Sequence, residues 1–346
     1  MSDPQTNGQS ISPSHPALFS AGDGVEERAL APHSQVLACL DDDRSCDLVA
    51  RHALNIAASL GLPVTFAHVM EIGRGSGLPA DPVEWHLRLR RCREQLERLI
   101  EEQLAPMPVG RLLLTGSSGK ELNGWAHDHA GALLVLAAHS RDSEQITGLG
   151  GTAQAVLNSG LASVLLVPPA TGGASDVGYR RLLVALDGSR RAESILPVAA
   201  RVARTSGAEL TLVHVIANVD TIEAFQEGAD ELRGRLRDQN EALAMRYLNG
   251  LRIQLGRQGI GARILVESDG DPRRRLRRIA MDRTDLILTT SHGYTGLSDV
   301  ACGNVTAYLA DHAPCPLLII RPEFRLGDMT QPGNSSDRMT AYELSH

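Results

Sequence analysis

The chain has 346 residues, 42% of them hydrophobic but only 3% aromatic, and a net charge of −7. That length accommodates two ordinary domains built on Leu, Val, Ile and Ala, and the acidic balance argues against a general nucleic-acid or acidic-membrane binder. Five scattered cysteines with no CxxC pair, no apolar run of transmembrane length and no basic leader ahead of an apolar stretch predict a cytoplasmic protein without a disulfide framework or metal cluster.

Residues 1–33 are rich in Ser, Pro and Gly and read as a disordered tail. From 35 to 70 the chain runs through a buried strand ending at Asp41, an Ala-rich amphipathic helix, a Gly and a second buried strand ending in His68-Val69. A charged helix at about 81–104 follows, then strand 110–115, helix 120–130, strand 132–137, helix 151–160 and strand 163–167. The segment 169–179, PATGGASDVGY, reads as a linker.

The pattern then starts over. RLLVALDGSRRAESILPVAARVARTSGAELTLVHVI, 181–216, repeats the first strand–helix–strand passage, with Asp187 matching Asp41 and His214 matching His68. A long helix at about 221–257, strand 261–267, helix 272–282, strand 285–289, helix 303–312 and strand 316–320 complete the second copy. His292 and Gly303 match His139 and Gly150. A repeat of this length is a duplicated domain rather than a solenoid. Alternating apolar strands and helices predict an α/β fold: two tandem Rossmann-like domains, 34–168 and 180–322, each a five-stranded parallel sheet sandwiched by helices. Residues 323–346 read as a second tail.

Ligands of such sheets sit beyond the carboxyl ends of the strands. There the topology gathers Asp187, Val215 and the loop after Thr290. Gly303 begins a helix whose first turn, Asn304, Val305 and Thr306, carries unpaired N–H groups suited to an anion, with Asn304 and Thr306 adding side-chain donors. Taken alone, Gly303-Asn304 reads first as a helix cap.

VALDGS (184–189), LVHV (212–215), GDP (270–272), DLILTTSHG (285–293), CGNVT (302–306) and HAPCPLLIIR (312–321) occur in that order, and together they resemble the universal stress protein family. The resemblance covers both copies and implies the adenine nucleotide alpha-hydrolase-like fold. Its nucleotide binders carry Gly-x₂-Gly-x₉-Gly followed by Ser or Thr. The second copy matches at Gly293 and Gly303, with Thr290 in place of the first glycine and Asn304 in place of the hydroxyl residue. The resemblance implies that Ala185, Leu186 and Asp187 lie along base and ribose and that Val215 meets adenine. It sets Thr289, Thr290 and Gly293 beside ribose and phosphate, and Gly303, Asn304, Val305 and Thr306 around the phosphates. In the first copy the register reads Ala137-Ala-His-Ser140, then Gly150-Gly151, so Asp41, Val69, Gly150 and Gly151 form a degenerate counterpart.

The family's role implies a stress-response regulatory or protective protein that binds ATP or a related adenine nucleotide, with Mg as an accompanying ion. Its partners would be that nucleotide, unidentified regulatory proteins and a second chain in a homodimer. The two halves would pair with each other through strands 163–167 and 316–320. A nucleotide-free interaction module and a slow ATPase are the alternatives. No nucleophile elbow, triad or Walker A loop is present, so no catalytic residue is assigned.

Three further features have plain readings. Five arginines within six positions (273–278) of DPRRRLRRIAMDR (271–283) read as a solvated helix face. His68, His214, His139 and His292 read as histidines hydrogen-bonded at the sheet edge rather than as metal ligands. Cys302, at a helix start where a thiolate is favoured, reads as a small buried residue.

Overall fold

The structure, a computed structural model, describes residues 34–41, 45–71, seven helical positions between 83 and 98, 109–139, 148–169, 177–217, 229–292 and 302–326. The first half comprises β1 (Val36–Leu40), α1 (Ser45–Leu60), β2 (Val64–Glu71), β3 (Gly110–Gly116), α2 (Ser118–Asp128), β4 (Leu133–Ala137), α3 (Gly151–Ser159) and β5 (Ser163–Val167). The second comprises β6 (Arg181–Ala185), α4 (Arg190–Glu193), α5 (Leu196–Ser206), β7 (Glu209–Ala217), α6 (Ala229–Arg257), β8 (Ala262–Gly270), α7 (Pro272–Met281), β9 (Leu286–Thr290), α8 (Asn304–His312) and β10 (Leu317–Ile320). The tail at 1–33 lies outside the described residues, as does most of the helix expected at 81–104.

The two expected five-stranded sheets are halves of one ten-stranded sheet, ordered β3-β2-β1-β4-β5-β10-β9-β6-β7-β8. All pairings are parallel except β5 with β10. There Leu317 faces Leu166, Leu318 faces Leu165 and Ile319 faces Val164. Leu165 and Leu318 are equivalent positions of the repeat, so a pseudo-two-fold axis passes between them, as in an isologous dimer interface. The central strands are short aliphatic runs because both their faces are covered. Alternate residues feed two layers. Leu182, Val184, Leu286 and Leu288 point to a core under α1, α5 and α6; Leu183, Ile287, Leu317 and Ile319 point to a core under α2, α3, α7 and α8.

Local sequence sets the helix ends. Ser189 caps α4 by accepting from Ala192 N. Asp271 caps α7 by accepting from Arg273 N, with Pro272 in the first turn. Gly207 closes α5 at φ +64, where a side chain is strained.

The halves are locked by side chains as well as strands. His52 Nδ1 lies 3.0 Å from Tyr179 Oη, Asn55 Nδ2 donates to Val177 O at 2.5 Å, and Thr205 Oγ1 donates to Ser59 O at 3.1 Å. Arg321, 5% exposed, donates from Nε to Ala162 O (3.1 Å) and from Nη2 to Leu157 O (3.0 Å), at the end of α3. The core runs past both expected domain edges. Tyr179, assigned to the linker, is 1% exposed, and Phe324, assigned to the tail, is 6% exposed.

Candidate functional site

The carboxyl ends of β6, β7 and β9 converge beside the start of α8. Asp187 follows β6 on an exposed turn, where its Oδ1 accepts from Ser189 N at 3.0 Å and Gly188 takes φ +83. Ala185 and Val215 are half-buried on the α7–α8 side of the sheet. Leu186 points the other way, into the core, and both its backbone groups are engaged. Its N–H donates to Val213 O at 2.9 Å and its carbonyl lies 2.9 Å from His214 Nδ1. It shapes the strand end without presenting a side chain to the expected base and ribose.

His68 repeats this arrangement in the first half, with Nδ1 3.0 Å from Leu40 O. A carbonyl only accepts, so Nδ1 carries the proton in both rings, and the sheet-edge reading of this histidine pair holds. Beyond His214, the Tyr247 ring of α6 meets it edge-on at 6.5 Å. Tyr247 Oη is buried, and that burial, then the nearby carboxylates of Glu193 and Asp187, raise its pKa and keep the phenol neutral. Sequence reasoning missed Tyr247, because nothing local marks one tyrosine on a 29-residue helix as facing a strand end.

The loop itself is tightly organised. Thr289, Thr290, Ser291 and Thr306 are all buried. Thr290 Oγ1 donates to His292 O (2.9 Å), and Thr306 Oγ1 donates to Thr290 O (2.9 Å). Thr306 was expected to offer its hydroxyl to a phosphate. That hydroxyl is used to close the loop, which leaves the backbone N–H. Ser291, also missed by sequence reasoning, accepts from Gly303 N at 2.8 Å and so fixes the turn into α8. Gly303 is the N-cap, at φ −69 and ψ 158, and its carbonyl accepts from Ala307 N at 2.9 Å. The N–H groups of Asn304, Val305 and Thr306 therefore precede the first intrahelical bond, at the positive end of the helix dipole. Asn304 is exposed and Val305 half-buried. Gly293 lies outside the described residues. Among the described residues, a Cβ built on Gly303 meets nothing nearer than Ser291 O at 3.6 Å, an ordinary contact.

Cys302, just ahead of Gly303, is buried, and burial pushes its thiol up to about 11. A thiolate is thus disfavoured despite the helix start, which agrees with the reading of a small buried residue.

The first half builds the same backbone turn. Gly150 caps α3 at φ −60 and ψ 149, and its N–H donates to Ala138 O at 2.8 Å. Asp41 and Gly151 are exposed and Val69 is half-buried. One contact breaks the symmetry. Leu149 N, beside Gly150, donates to Asp311 Oδ1 at 3.1 Å, so a carboxylate from the second half's α8 already sits on the first half's loop. The equivalent of Asp311 is Asn158, whose Oδ1 accepts instead from Gln154 on its own helix.

A duplicated α/β sandwich with an N–H-rich helix start at the strand ends defines the class of protein. The model of the universal stress protein family matches residues 33–168 and 178–321, and the chain belongs to that family. Universal stress protein YxiE of Bacillus subtilis is 23% identical over 148 residues, 41% of this chain and 99% of that protein. Among solved structures, a universal stress protein from Archaeoglobus fulgidus superposes with a TM-score of 0.57 at 16% identity, covering 83% of this chain and 98% of its own. A functionally unknown protein, PA1789 of Pseudomonas aeruginosa, gives 0.56 at 15% identity over 84% and 93%. Both span the tandem arrangement, and at these identities the likeness is one of fold. Among the described residues no helix is long and apolar enough to cross a membrane.

Proposed function

We propose that this tandem universal stress protein binds ATP or a related adenine nucleotide in its second half, and that its role is nucleotide-dependent regulation or protection rather than fast catalysis. The observation that carries the reading is the start of α8. Three backbone N–H groups without intrahelical acceptors start the helix behind Gly303, where no described residue would crowd a Cβ, at the ends of the strands that bear Asp187 and Val215. Such a helix end favours phosphate oxygens by hydrogen bonding and by its dipole. In this reading Val215 and Ala185 supply the apolar wall for the base. Asp187 accepts from ribose, and Thr289 and Thr290 hold the loop in shape through their buried positions. Gly303 and the N–H groups of Asn304, Val305 and Thr306 hold the phosphates, with Mg travelling on the nucleotide. The first half, whose loop is already engaged by Asp311, pairs and packs and does not bind.

Calorimetric titration of the nucleotide-stripped chain with ATP tests this, beside Gly303→Val. One site per chain, lost in the variant, is the expected result. No binding at about millimolar ATP would leave an interaction module without nucleotide, and two sites would overturn the division of labour between the halves.

A further inference from the structure

The arginines of α7 are not one solvated face. Arg273 lies over the Tyr308 ring, 5.9 Å from its centroid, and Arg277 Nε donates to His312 O at 3.0 Å, so these two hold α8. Arg274 is exposed. Arg275 and Arg278, together with Ile279 and Asp282, recur at helical spacing and form one wall of a cleft of about 680 Å³. Its floor is the outer part of the sheet, where Leu183, Thr211 and Leu265 come from β6, β7 and β8. The cleft also takes in Arg181, Glu209 and Arg263, at the amino ends of those strands, whereas Asp187 and Val215 stand at the opposite ends.

Charge in the cleft is unevenly matched. Glu209 pairs with Arg263, Glu267 lies 3.7 Å from Arg275, and Arg181 is held by Asp285 at 2.8 Å. Arg278 and Arg283, which also line the cleft, have no hydrogen-bond or ion-pair partner among the described residues. Arg278 in the last turn complements the dipole of α7, which is a structural reason for its charge. That reason does not extend to Arg283, which lies beyond the helix and is the only non-glycine among the described residues at positive φ, +61.

We propose that this cleft is a second ligand site, for a phosphorylated small molecule. Phosphate oxygens would lie between Arg278 and Arg283, and an apolar body would rest on Leu183, Leu265 and Ile279. Its volume falls in the range of small-molecule sites, roughly 300–1,000 Å³. The planar guanidinium fork matches phosphate geometry; Glu209 and Glu267 are engaged by Arg263 and Arg275, Asp282 lies close enough to Arg181 to raise that arginine's pKa, and the five arginines of the lining outnumber these three carboxylates. The net charge of −7 does not oppose this at close range, because physiological salt screens charges beyond about 8 Å.

The test is calorimetry of inorganic pyrophosphate at fixed ionic strength into the full chain carrying Gly303→Val, so that pyrophosphate held at the start of α8 is not counted. One site is expected, weakened about tenfold or more in Arg278→Ala/Arg283→Ala and unchanged in Arg274→Ala, with thermal melts confirming that both variants fold. No binding, an equal loss in Arg274→Ala, or undiminished binding in the double variant would overturn the proposal. So would equally tight binding of hexaglutamate, which would make the cleft a docking place for acidic peptide instead.

Discussion

At the scale of single residues the candidate site rests on backbone, and its side chains mostly serve the loop. Gly303 sits at a φ any residue adopts, and among the described residues a Cβ there makes only an ordinary contact with Ser291 O, so Gly303→Ala should cost only about 0.5–1 kcal/mol as a poorer helix cap. The same methyl projects into the space proposed for phosphate. A nearly unchanged melting temperature with a clear loss of ATP affinity is expected, and a large drop in melting temperature would show that the glycine serves the fold instead. His52 is a second test at this scale. Burial against Tyr179 lowers its pKa from 6.5 to about 4. The unfolded chain therefore binds a proton that the folded chain refuses between those values. The contribution is intact above pH 6.5 and falls away as pH drops toward 4, by about 3 kcal/mol in all. Urea melts at pH 7.5 and 4.5 should show this slope, and His52→Gln should flatten it by that amount. The histidines at the strand ends were legible in advance because a repeated His-Val at a buried strand's end has an obvious carbonyl to meet. The inward use of the Thr306 hydroxyl was not legible, because its acceptor, Thr290 O, is brought near only by the folded loop.

At the scale of elements, α8 serves both halves. Its first turn faces the second half's strand ends, and its last turn carries Asp311, which holds Leu149 N of the first half's loop. Asp311→Ala should free that N–H and leave the turn into α3 intact, since the bond from Gly150 N to Ala138 O is untouched. A second, weaker ATP site appearing in Asp311→Ala is the expected calorimetric outcome if this carboxylate keeps the first half silent. An unchanged stoichiometry assigns the silence to Gly151 and the neighbouring side chains. Arg321 works in the other direction, from after β10 to the end of α3. Arg321→Ala removes two charged donors from buried carbonyls and should destabilise the chain by about 2–4 kcal/mol in denaturant melts. The arginine run of α7 shows the limit of sequence patterning. Helical spacing separated the inward Leu276 and Ala280 from the rest, but which arginines meet α8 and which line a cleft depended on neighbours that spacing does not name.

At the scale of the whole molecule, one sheet and one core under α1, α5 and α6 run across both halves. The described fold should therefore melt in a single transition, and a scanning-calorimetry trace with two resolved peaks would contradict that. Leu318→Asp places an unpaired charge on the pseudo-two-fold axis, at a position with no exposure. It should lower the stability of both halves together.

The sequence by itself determined the duplicated strand–helix order, the buried strands and the place of the glycine-led helix start, because these are set by local periodicity and by residues a few positions apart. The family resemblance had already put strands 163–167 and 316–320 at the joint; only the tertiary structure decided that they pair edge to edge and make the two sheets one, that Tyr179 and Phe324 belong to the core and that Asp311 rests on the other half's loop. Those contacts join residues far apart in the chain, and the pairing of β5 with β10 decides which of them meet.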